Sequence, residues 1–134
     1  MSEGGREMIK GFSIDIYGCQ VAFGWDTNQK EIEAFFKEYE ATDACKDGVK
    51  TYLEEPCARA LTINVNPINI VTLFKDEPTN NMVAHEIYHV ACRVLQPRGI
   101  EDEEAWAYLI GYLTEMFYDL YLDKVETEDI SPKE

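Results

Sequence analysis

The sequence predicts an α+β fold, a single domain in which a small, mainly antiparallel sheet packs on about three helices. Three observations lead there. The chain has 134 residues, 46% of them apolar, which suits one domain with a core of its own. Residues 12–25 and 58–74 carry the alternating or β-branched apolar runs of strands. Residues 80–95 and 103–122 instead repeat their apolar positions at helical spacing.

Taken in order, residues 1–10 read as a flexible lead-in and the folded domain as 11–124. Residues 12–17 and 20–25 predict two short strands joined at Gly18-Cys19, the first marked by the alternation Phe12, Ile14, Ile16. Asp26-Thr27-Asn28 offers N-cap residues for a helix to about Tyr39 or Ala41, with Ile32, Phe35, Phe36 and Tyr39 as its apolar stripe. From Thr42 to Pro56 the pattern is lost, and Asp47-Gly48 signals a turn, so this stretch is expected to be a long surface connection. Residues 58–63 and 68–74 read as a hairpin about Asn64-Val65-Asn66-Pro67. Thr79 or Asn80 caps the next helix, which Pro97-Arg98-Gly99 stops near Gln96. The last helix, about Glu103 to Leu122, is apolar over most of its circumference and so is expected to be largely buried. Residues 125–134 are acidic, short of large apolar groups, and read as a disordered tail.

Composition removes several functional classes. Twelve basic against 26 acidic residues give a formal net charge of −14. That opposes nucleic-acid binding, because phosphates reward positive surface, and it disfavours docking on anionic membranes. No apolar run reaches the length of a membrane span, and the first residues lack the apolar region of a signal peptide. Cys19, Cys45, Cys57 and Cys92 form no C-x-x-C pair and are expected to be reduced thiols in a cytoplasmic protein; a Cys45–Cys57 bridge would require export. Oligomeric state has no signature in the sequence.

His85-Glu86-Ile87-Tyr88-His89 carries the chemistry. It has the form H-E-x-x-H and uses both histidines of the chain. On a helix, residues four apart share a face, so the two imidazoles can close on one metal ion while Glu86 stands beside it. Zinc suits imidazole ligands and can keep an open position for water, whose pKa it lowers, leaving Glu86 to take the proton as general base. The third ligand must then be a carboxylate or a thiolate. Glu104 is the first choice, because it shares a helix face with Tyr108 and Gly111; Glu103, one position out of phase, is the alternative. Cys92, three residues after His89, is a weaker rival. The acids at 101–104 also suit the positive end of a helix dipole without any metal.

His85-Glu-x-x-His89 followed by Glu104-Ala-Trp-Ala107 resembles the zincin metallopeptidases, and among them the gluzincin-type branch of small ImmA/IrrE-like peptidases. Residues 83–90 and 104–115 also resemble small zincin-like proteins encoded by bacteriophages. The resemblance spans most of residues 20–122. It implies a minimal zincin fold in which His85, His89 and Glu104 bind Zn2+ and Glu86 is the general base. It implies a protein or peptide substrate held beside the motif helix by an edge strand, for which residues 68–74 are the candidate. With no third histidine to steady an oxyanion, Tyr108 or Tyr112 would serve. The competing expectation is a non-catalytic, zinc-stabilised protein-binding module, of phage or mobile-element origin.

Overall fold

A computed structural model describes residues 9–130, and the side chains among them as far as Glu126. Strands β1 (Ile9–Ile14), β2 (Cys19–Trp25), β3 (Ala60–Asn66) and β4 (Asn69–Phe74) form one mixed sheet. Helices α1 (Gln29–Tyr39), α2 (Asp43–Glu54), α3 (Asn80–Leu95) and α4 (Glu103–Ile130) cover it, so the fold is α+β. The strand order is β1-β2-β4-β3. The β1–β2 and β3–β4 pairings are antiparallel, and β2–β4 is parallel.

Side-chain alternation along the strands divides the core into two layers. Val21, Phe23, Trp25, Ile70 and Phe74 point toward α3 and α4, where they meet Val83, Ile87, Val90, Leu113 and Phe117. Ala22, Val65, Val71 and Leu73 point the other way, against Ile32 of α1 and Cys45, Val49 and Tyr52 of α2. Every residue of β4 is therefore buried, as expected for a strand covered on both faces.

Caps explain where the helices begin. Asn28 forms a reciprocal capping box with Glu31 at the start of α1. Thr79 accepts from the Met82 amide at the start of α3. Asp102 accepts from the Ala105 amide at the start of α4. A short 3-10 turn, Gln96–Arg98, and Gly99 at φ 67° reverse the chain between α3 and α4, a backbone conformation glycine adopts without penalty.

Several boundaries differ from the sequence reading. Residues 43–54 form helix α2 rather than a surface connection. Thr42 caps it, and Cys45, Val49 and Tyr52 are buried one turn apart. Gly48, which signalled a turn, is a packing residue: a Cβ there would come within 2.6 Å of Ile63 Cδ1, so glycine lets α2 settle on β3. Ile9 and Lys10, placed in the lead-in, pair with Gly24 and Phe23 in the sheet. Helix α4 runs on through residues 125–130, which the sequence assigned to the tail, because no glycine or proline interrupts it after Gly111. Residues 1–8 and 131–134 lie outside the described part. Finally, β4 is interior and β3 is the edge, so residues 68–74 are not the free edge strand.

The four cysteines are free thiols. Burial pushes the Cys19 and Cys45 thiols up from their ordinary range, partly offset by Arg98 and Lys46 respectively. Exposed Cys57 is therefore expected to react first with a thiol reagent at neutral pH, half-buried Cys92 more slowly, and Cys19 and Cys45 only on unfolding. Timed labelling followed by peptide mass mapping checks this, and prompt modification of Cys45 would contradict the packing of α2.

Candidate metal centre

Helix α3 presents four faces. Val83, Ile87, Val90 and Val94 are buried against the sheet. Tyr88 turns toward α4, its ring 5.8 Å from that of Trp106. Glu86 and Arg93 turn toward β3, where Glu86 meets Thr62 and Arg93 donates to Asn64 at 2.9 Å. His85 and His89 lie on the remaining face, open to solvent.

The two imidazoles converge. His85 Nε2 and His89 Nε2 are 3.1 Å apart, with the rings 77° from coplanar and their centroids 4.6 Å apart. Two nitrogens bound to one tetrahedral zinc at about 2.0–2.1 Å would stand roughly 3.3 Å apart. The observed spacing is close to that, so the pair fits a shared metal ion through Nε2 of both rings. Tyr88 stands beside the pair, its ring centroid 6.5 Å from that of His89.

Glu86 differs from its histidine neighbours in being buried, at 8% exposure. Thr62 Oγ1 donates to its Oε1 at 2.7 Å, and Thr72 Oγ1 lies 2.8 Å from Thr62 Oγ1. The two threonines are register partners on β3 and β4. Tyr52 also registers the carboxylate. Burial raises its phenol pKa first, the Glu86 charge raises it further, and Arg59 opposes both. Glu86 and His85 line a cleft of about 310 Å³ together with Arg59, Ala60, Thr79, Asn81 and Met82. Its wall includes the start of edge strand β3. Arg59, at the mouth, forms an ion pair with Asp76.

The expected third ligands sit at the start of α4. Glu103 borders a second cleft, of about 580 Å³, with Tyr88, Ile100 and Trp106. It stands seven residues before Ile110, hence on the α3-facing side that Trp106 and Tyr118 mark; Tyr118 Oη donates to Asn80 at 2.5 Å. Glu104 falls on the face of Tyr108 and Gly111, where all three are exposed and a Cβ on Gly111 would meet nothing within 4 Å. No neighbouring element therefore approaches α4 closely at Gly111. Among the described residues no group of three or more His, Cys, Asp or Glu has metal-holding geometry. Cys92 engages Tyr88 instead, and its hydrogen bond is the main influence raising that phenol's pKa.

Tyr108 and Tyr112 do not face the histidines. Tyr112 packs on Phe12 of β1, the far edge of the sheet, at a centroid distance of 6.0 Å. Tyr108, one turn earlier on that side, is 77% exposed. The placement gives no support to the expected oxyanion role of either ring. Thr62, Thr72 and Arg59 were not anticipated from the sequence. The available signal was a threonine at an inward position of each hairpin strand, between Ile70 and Phe74 in the case of Thr72. No family model, curated protein or solved structure matches the chain.

Proposed function

We propose that the protein is a zinc-dependent metallopeptidase, with His85 and His89 as metal ligands and Glu86 as general base. The observation that carries the reading is the 3.1 Å convergence of the two Nε2 atoms beside a carboxylate that lines a cleft. A bound Zn2+ would polarise the scissile carbonyl and make water a better nucleophile. The remaining work falls to the chain itself. Glu86 takes a proton from the attacking water and returns it to the leaving amine. The free edge of β3, whose Ala60 lines the cleft, offers backbone groups to an extended peptide in place of residues 68–74. The third donor is sought at the acidic start of α4, with Glu103, which borders the Tyr88 cleft, favoured over Glu104, which lies on the outward face with Tyr108.

Purified protein is expected to carry about one zinc per chain by elemental analysis, as a site of this ligand type holds a single ion. His85→Ala should weaken zinc by more than the ~10–100-fold typical of outer-shell changes. Of Glu103→Gln and Glu104→Gln, the variant that loses zinc identifies the third ligand. Hydrolysis of a quenched fluorescent peptide library by the zinc-loaded protein completes the test. Zinc bound without cleavage would indicate a zinc-pinned binding module, and no zinc after reconstitution would end the metallopeptidase reading.

A further inference from the structure

We propose that Thr62, backed by Thr72, is the positioning residue for Glu86 and commits one carboxylate oxygen, Oε2, to all proton traffic. The inference rests on the metallopeptidase reading and adds to it the device that aims the base. A hydroxyl has one proton to give. Thr62 gives its proton to Glu86 Oε1 at 2.7 Å, so across the 2.8 Å contact with Thr72 it can only accept. The donor order is therefore Thr72 to Thr62 to Glu86. Thr62 and Thr72 are buried register partners in the sheet, so the chain of hydroxyls is as rigid as the hairpin that carries it.

This arrangement distinguishes the two oxygens of Glu86. Oε1 is occupied by a donor, whereas Oε2 has no hydrogen-bond partner among the described residues, on a side chain that lines the cleft with His85. When water attacks, its O–H bond breaks and the proton goes to Oε2, while the oxygen bonds to the peptide carbonyl carbon. Oε1 then has carbonyl character and still accepts from Thr62, so the positioning bond survives in both protonation states. As the C–N bond breaks, the same proton passes from Oε2 to the amine. Neither threonine gains or loses a proton over the cycle. Because Thr62 belongs to edge strand β3, the base is held by the same strand that borders the cleft.

The test uses the full-length, zinc-loaded protein, the quenched peptide library, and the substituted proteins Thr62→Val, Thr62→Ser and Thr72→Val. Valine keeps the volume and removes the donor. Thr62→Val is expected to lower kcat by about 10–100-fold, the scale of a misaimed catalytic group, with KM and zinc content unchanged. Thr62→Ser should restore kcat, and Thr72→Val should fall between the two. A purely structural role would lower the melting temperature and leave kcat alone wherever the protein is folded. Wild-type cleavage with an equally active Thr62→Val variant overturns this inference alone. So does a serine variant as impaired as the valine one. A zinc-loaded wild type that cleaves no peptide overturns the metallopeptidase reading, and this inference with it. Should Thr62→Val not fold, a Thr72→Val variant with wild-type kcat overturns the hydroxyl chain.

Discussion

Glu86→Gln is expected to reduce kcat by about 10²–10⁴-fold, the contribution of a positioned general base, while zinc stays bound. Glutamine has the shape of glutamate, and its Oε1 can still accept from Thr62, so the hydrogen bond from β3 is preserved. An amide oxygen, however, does not take a proton from water at neutral pH. Zinc should stay because the proposed ligands are His85 and His89, whose Nε2 atoms converge without any part of Glu86. Thermal stability should hold or rise slightly, since a buried charge becomes a neutral group. Kinetics, elemental analysis and thermal melting of the two proteins check these outcomes together. Loss of zinc in the glutamine variant would make Glu86 a ligand and remove the assigned role.

The largest expected effect on stability comes from Phe117→Ala. Phe117 is wholly buried, and its ring lies 5.0–5.7 Å from those of Phe23, Trp25, Phe74, Tyr118 and Tyr121. It thus ties α4 to both interior strands. Truncation removes the transfer free energy of the ring and leaves a cavity that rigid sheet neighbours cannot close, a cost of about 3–5 kcal/mol. Against a total stability of about 5–15 kcal/mol, that is a large fraction. Leu122→Ala, on the same helix but 55% exposed, should stay within about 0.5 kcal/mol. Denaturant unfolding of the two variants gives the comparison. A Phe117→Ala loss below about 1 kcal/mol would mean that α4 is not anchored through this ring.

Much of the site was legible before any coordinates. The spacing of His85 and His89 has one consequence on a helix, and the apolar positions from Val83 to Val94 require that helix. Thr79, Asn28 and Gly99 mark element ends by local chemistry alone. Helix α2 was hidden because Gly48 has the same letter whether it makes a turn or admits Ile63. The spacing of Cys45, Val49 and Tyr52 was the weaker signal beside it. The exchange of edge and centre between β3 and β4 was partly readable. Residues 70–74 are apolar at every position but one, as a strand buried on both faces requires, whereas β3 carries Thr62, Asn64 and Asn66 on alternate positions.

What the sequence by itself determined is therefore what depends on neighbours within a turn or two: every element type but that of α2, the caps of α1 and α3, the histidine pair and the carboxylate beside it. Only the tertiary structure decided which strand lies free, which face of α4 looks toward α3, and what grips Glu86. Those outcomes join residues far apart in the chain, Thr62 with Glu86 and Phe12 with Tyr112. Local periodicity says that a face is apolar or polar but not which surface it will meet. The partner is chosen by packing the whole sheet between its helices, where burial of both layers is satisfied at once.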